Sequence, residues 1–68
     1  MREQGVVKAW FMQRGFGFIA RSGGGRDAFA HHTDLIDVPW LVEAGVVEFE
    51  VREEPKGPHA VRVQVVSE

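Results

Sequence analysis

With 68 residues, a formal net charge of −2 and no cysteine, the chain has room for one domain, 1–68, and none for a second. A domain this small buries only about 60% of its unfolded surface, and it must do so without a disulfide, which fits a reducing, cytoplasmic setting. The acidic balance excludes a binder driven by bulk positive charge. No stretch approaches the roughly 20 apolar residues of a membrane helix, and no apolar run follows Met1-Arg2-Glu3-Gln4 to make a signal peptide.

Gly5 to Phe11 reads as the first strand. Strict alternation puts Val7 and Ala9 on one face and Lys8 and Trp10 on the other. Met12-Gln13-Arg14 is a short turn, and the second strand runs from Gly15 to about Arg21. On it Phe16 and Phe18 stand side by side, while Gly15, Gly17 and Ile19 face the other way, which we take as the core side. Two exposed rings on a strand lower solubility. One use for them is to stack on the faces of nucleotide bases; the competing reading places both rings in the core. Ser22-Gly23-Gly24-Gly25 is a flexible loop. No Lys-Ser or Lys-Thr follows it and no helix begins there, so it is not a phosphate loop of the nucleotide-hydrolase type.

The third strand spans about Arg26 to His31. Its small Ala28 and Ala30 look inward, so Phe29 and His31 point out. That inverts the usual strand pattern of apolar inside and polar outside. Paired antiparallel, the second and third strands make one continuous patch of Phe16, Phe18, Phe29 and His31, and such a patch marks an interaction site. Thr33-Asp34-Leu35-Ile36 can form one helical turn with Thr33 as its cap. Pro39 forces an extended approach to Trp40. From Val46 to Arg52, Val47, Phe49 and Val51 face inward, with Glu48 and Glu50 outward. Pro55-Lys56-Gly57-Pro58 is a turn. In the last strand Val61, Val63 and Val65 face inward and Arg62 and Gln64 outward. Five short alternating strands without an amphipathic helix predict an all-β fold, a five-stranded antiparallel barrel of the oligonucleotide-binding (OB) type. Closure of the barrel removes sheet edges that invite aggregation.

Arg14-Gly15-Phe16-Gly17-Phe18-Ile19 and Ala28-Phe29-Ala30-His31-His32 resemble, in this order, the two ribonucleoprotein motifs of the cold-shock domain, as found in bacterial cold-shock proteins. Gly5-Val6-Val7-Lys8 and Gly57-Pro58-His59-Ala60 extend the resemblance over nearly the whole chain. There are departures. Where the family has Lys-Trp-Phe and then a small polar residue, the ungapped alignment gives Lys8-Ala9-Trp10-Phe11. Shifting by one residue restores Trp10 to the family's tryptophan position but needs a bulge and a shorter turn. The ungapped register is preferred, with Trp10 on the binding face. If strand one were instead turned over, Trp10 would be buried, Lys8 would leave that face, and Phe11 would become a stacking ring. His32 stands where the family has another aromatic, and the glycine loop is one residue longer.

The resemblance implies a single-stranded RNA- and DNA-binding protein, an RNA chaperone and a monomer, with no cofactor. Bases would stack on Trp10, Phe16, Phe18, Phe29, His31 and Trp40, and more weakly on His32, which adds pH sensitivity. Lys8, Arg14 and Lys56 would contact phosphates or base edges. The net charge requires cations to gather on that face, and Lys8, Arg14, Arg21, Arg26, Lys56 and Arg62 are the candidates. A barrel that docks a peptide on the aromatic patch is the alternative from another functional class. The RNA-recognition motif, which needs two helices and the reverse order of motifs, is set aside. Catalysis has no support, since no nucleophile sits beside a base. His31, His32, Asp34 and His59 make a poor metal set, because adjacent strand histidines point to opposite faces.

Overall fold

A computed structural model describes residues 2–67, so Met1 of the amino-terminal stretch lies outside the described residues. The strands are Arg2–Phe11 (β1), Phe16–Arg21 (β2), Ala28–His31 (β3), Val46–Glu54 (β4) and Gly57–Ser67 (β5), with one 3₁₀ turn at His32–Asp34. They close into a barrel in the order β1-β2-β3-β5-β4. No helix among the described residues is long and apolar enough to cross a membrane.

The barrel corrects the expectation in one respect. β3 and β5 pair parallel, through Phe29 opposite His59, whereas the other four pairings are antiparallel. The reason is parity. Strand direction must alternate around an antiparallel ring, and an odd ring leaves one pair of neighbours running the same way.

Ile19, Val47, Phe49 and Val63 fill the centre of the barrel, joined by Val7, Trp10, Leu41, Ala28, Ala30 and Ala60. The alternation read in β2, β3 and β4 therefore holds. In β1 and β5 it breaks, each time at a bulge, where one strand carries an extra residue and the phase of the pleat slips. In β5, Glu48 pairs with Gln64 but Glu50 pairs with Val61, so Arg62 and Val63 share the place of one residue, and Arg62 takes φ 53°. Val63 stays buried, but beyond the slip it is Ala60, and not Val61, that is fully inside.

The 3₁₀ turn is capped by His31, two residues earlier than the expected Thr33: the Asp34 carboxylate accepts the His31 N–H at 2.9 Å, and His31 Nδ1 lies 2.9 Å from Thr33 Oγ1. Asp34 thereby fixes the end of β3, where the His31 ring emerges.

Candidate nucleic-acid interface

The pairing of β1, β2, β3 and β5 arranges the outward side chains in two rows across the strands. Phe11 opposes Phe16, which opposes His31; Ala9 opposes Phe18, which opposes Phe29, which opposes His59. Phe16 is the hub. Its ring centroid lies 5.2 Å from Phe11, 6.2 Å from Phe18 and 5.7 Å from Phe29. Phe18 and Phe29 are 6.0 Å apart. These spacings are normal for tilted and edge-to-face aromatic pairs, so the rings brace one another while their outer faces remain open. The structure thus brings together Phe16, Phe18, Phe29 and His31, as the sequence indicated.

Trp10 is not among them. It is buried, at 9% exposure, and belongs to the core, while Phe11 is 45% exposed. The cause is the bulge in β1: Val7 pairs with Ile19, and Ala9 with Phe18, which leaves Lys8 as the extra residue. Beyond it the alternation inverts. Gly17 makes the inversion possible. A Cβ at Gly17 would strike the Ala9 carbonyl and come within 2.7 Å of Trp10 Cε3, so a glycine is needed where the indole packs against β2. The indole Nε1–H is buried without an acceptor among the described residues. The turned-over register also predicted that Lys8 would leave the face. It does not: the bulge leaves both Lys8 and Ala9 on the outer side, and Lys8, Phe18 and Arg26 border a cleft above Ala9. The turned-over register is thus right about Trp10 and Phe11 and wrong about Lys8, since a strict period of two cannot place Lys8 and Phe11 on one face.

The flanking residues take two positions. Arg14, His32 and Trp40 line one cleft at the end of the first row. Trp40 is 48% exposed, and the His31 and His32 ring centroids are 4.3 Å apart. Gly15, at φ 72°, lets the turn pass close under His32; a Cβ there would come within 2.7 Å of His32 Cδ2. Lys56 borders a second cleft with Phe18, Phe29, Glu54 and His59.

The cations are partly gathered. Arg14 and Lys56 are exposed and form no ion pair among the described residues, and Arg26 donates to the Lys56 carbonyl at 3.3 Å. Lys8 is exposed but lies 3.0 Å from Asp27. Two candidates are withheld from the face. Arg21 makes a bidentate pair with Glu3, at 2.9 and 2.8 Å, and Arg62 pairs with Glu50 at 3.5 Å. Glu48 and Glu50, on β4, are further neutralised by Arg2. β4 pairs with β1 and β5 and not with β2 or β3, so Glu48 and Glu50 lie away from the strands that carry Phe16, Phe18 and Phe29, while Glu54 at the end of β4 borders a cleft with Phe18 and Phe29.

His59 closes the second row. Its Nε2 lies 2.7 Å from Asp34 Oδ2 and its Nδ1 lies 3.0 Å from Glu54 Oε2. Partial burial pulls its pKa down, but hydrogen bonds and charge from Glu54 and Asp34 outweigh that and leave it above the ordinary imidazole value. Of the four residues weighed as a metal set, Asp34 meets the His59 ring, and His31 and His32 stack on each other instead of pointing to opposite faces, because His32 already belongs to the 3₁₀ turn and not to the strand. No grouping of three or more His, Asp or Glu able to hold a metal occurs among the described residues.

Comparison with known proteins agrees with this geometry. The family described as 'Cold-shock' DNA-binding domain matches residues 3–66. The probable cold shock protein A of Mycolicibacterium smegmatis is 43% identical over 65 residues, covering 93% of this chain and 97% of that protein. The cold shock-like protein CspD of Escherichia coli strain K12 is 45% identical over 60 residues, covering 85% of this chain and 81% of that protein. Among solved structures, the Drosophila Unr CSD456 fragment superposes with a TM-score of 0.80 at 27% identity, over 97% of this chain and 27% of that longer one. An OB-type barrel, two cross-strand rows of half-buried and exposed rings on its outer face and a family match over almost every residue lead to one conclusion: the chain belongs to the cold-shock domain family of nucleic-acid-binding proteins.

Proposed function

We propose that residues 1–68 act as a single, monomeric cytoplasmic domain that holds RNA or DNA single-stranded by stacking bases on its two rows of rings. The stacking residues are Phe11, Phe16, Phe18, Phe29 and His31, with His32 and Trp40 extending the track past the end of the first row. Arg14 and Lys56 contact phosphates or base edges, joined by Arg26 and by Lys8 once it exchanges Asp27 for a phosphate. Trp10 supports the platform from beneath. The observation that carries this reading is the pair of cross-strand rows, which expose several rings at once on a closed barrel. Every base has a π-face, so such a platform tolerates sequence. That suits an RNA chaperone, whose contacts must be weak and general. The role is binding and not catalysis. The peptide-docking alternative has no comparable support.

The test is a titration with matched single-stranded RNA, single-stranded DNA and the blunt duplex. Rings can stack only on bases that are already unstacked, so the single strands should bind well and the duplex poorly. With three or four phosphates neutralised at about −0.7 per phosphate, log K against log salt should fall with a slope of roughly −2 to −3. Equal affinity for strand and duplex, or a slope steeper than about −5, would show that charge and not stacking drives binding.

A further inference from the structure

His59 faces a carboxylate oxygen from each of its ring nitrogens, Asp34 at 2.7 Å and Glu54 at 3.0 Å. A neutral imidazole has one N–H and one lone pair. It can donate to one of these carboxylates and must turn a lone pair towards the other. Only the imidazolium donates to both. The geometry at His59 is therefore that of the charged ring, and the ring packs 5.5 Å from the Phe29 centroid. Asp34 Oδ2 also accepts the His31 N–H. One proton thus ties together the turn after β3, the end of β4 and β5, behind two members of the ring platform.

We propose that His59 is a positioning residue of the nucleic-acid face that works as its imidazolium, so that oligonucleotide binding above neutral pH is coupled to uptake of a proton at His59. This rests on the reading of the face as a nucleic-acid interface. The charged groups around the ring come from every neighbouring element. Asp34 belongs to the 3₁₀ turn. Glu54 and Arg52 belong to β4; Arg52 opposes His59 in register, and its Nη1 lies 3.9 Å from Glu54 Oε2. Lys56 belongs to the β4–β5 turn, and Arg26, which donates to the Lys56 carbonyl, to the loop before β3. His31 takes part only through its main-chain N–H.

When the ring loses its proton to solvent, one carboxylate is left against a lone pair. Asp34 keeps a second donor in the His31 N–H, and its side chain is only 14% exposed, against 37% for Glu54. Glu54 is therefore the group released. It already borders the cleft that holds Phe18, Phe29 and Lys56. There its charge, now faced only by the exposed Arg52 at 3.9 Å, competes with phosphate for Lys56 and repels the backbone of a bound strand. Binding a polyanion has the reverse effect and favours the protonated ring, because coupling between two ligands is reciprocal.

In water, one unit of charge about 6 Å from a phosphate changes affinity by about threefold. By reciprocity, a threefold change in affinity corresponds to about half a unit in the His59 pKa on binding. The experiment uses a thymidine oligonucleotide, since thymine does not titrate near neutrality. Its affinity is measured by fluorescence anisotropy from about pH 6 to 8.5 at constant ionic strength, for the wild type, His59→Gln and Glu54→Gln. Ring ¹⁵N spectra of the wild type follow His59 free and bound. We expect both ring nitrogens of the free protein to carry protons at pH 6.5, a titration above the ordinary imidazole value, and a further rise of about half a unit with oligonucleotide. Wild-type affinity should fall about threefold more across the range than that of His59→Gln, with Glu54→Gln close to the latter. His31 and His32 remain in all three proteins, so their effect cancels. A single ring proton on His59 at pH 6.5, or parallel profiles with binding intact, would overturn this proposal alone. Absence of oligonucleotide binding at every pH would overturn the interface reading as well. The ring spectra of the wild type do not depend on whether His59→Gln folds.

Discussion

Trp10 and Phe11 are neighbours in sequence on opposite sides of the barrel wall, and the bulge at Lys8 decides which of them is inside, so truncating each in turn tests the register of β1. Trp10→Ala removes a core indole, and large-to-small changes of this kind cost about 3–5 kcal/mol. A domain of 68 residues at roughly 0.05–0.15 kcal/mol per residue has about 3–10 kcal/mol in all. The variant should therefore melt at least about 12 °C lower, or not fold. Phe11→Ala removes a ring about half in water, at a cost near 1 kcal/mol and about 4–8 °C. If bases stack on Phe11, the same change weakens binding by about 1–3 kcal/mol, roughly 5- to 150-fold in Kd. Circular dichroism melts and anisotropy titrations with a labelled single strand read the two quantities independently. Trp10→Phe serves as a control. It loses some contact area but also removes a buried N–H that has no acceptor, a group that costs about 1–3 kcal/mol to strand, so it should be much milder than Trp10→Ala. A Trp10→Ala protein that melts normally and binds poorly would refute the bulged register, and so would a Phe11→Ala protein that fails to fold.

Gly17→Ala places a methyl group against the Ala9 carbonyl and Trp10 Cε3; overpacking of this sort costs about 1–3 kcal/mol or more, visible as a melt lowered by several degrees. The folded pKa of His59 lies above the unfolded value of 6.5. Its stabilisation is therefore fully present below about pH 6.5 and is lost as pH rises through the folded value. The melting temperature of the wild type should accordingly fall more from pH 6 to 9 than that of His59→Gln. Adding a thymine-rich single strand should quench emission from the exposed Trp40 and leave the core Trp10 largely unaffected: Trp10→Phe should keep the quenching and Trp40→Phe should lose it.

Much of the barrel was legible because its strands alternate strongly. Ala28-Phe29-Ala30-His31 announces its own inversion, and small alanines inside with large rings outside is what the register then shows. What was hidden, or in β1 weighed and not preferred, has a common cause. A period of two carries no mark for the residue at which it slips, so the bulges at Lys8 and at Arg62–Val63 turned Trp10 inward, Phe11 outward, and Ala60 inward in place of Val61. The glycine at position 17 was the available signal, since a missing Cβ on an inward face leaves room for a large neighbour, but it is equally consistent with an ordinary motif glycine. The clamp on His59 was out of reach for a different reason. Glu54 and His59 meet within the β4–β5 hairpin, but Asp34 comes from the far side of the chain, and only the parallel closure of β3 on β5 brings it to the ring.

That closure has a consequence for the order of folding. Every phenylalanine of the platform comes from β1 to β3, a meander whose pairings are close in sequence, and β4 and β5 form their own hairpin. The joins between these two pieces, Arg2 with Glu50 and Phe29 with His59, link distant parts of the chain. Their loop-closure entropy opposes early formation. The rings can thus be aligned before the barrel shuts, whereas the His59 clamp exists only afterwards. A bound strand that gains from the clamp holds the shut barrel by mass action. It therefore acts chiefly on the rate at which the molecule opens, and little on the rate at which the meander first assembles.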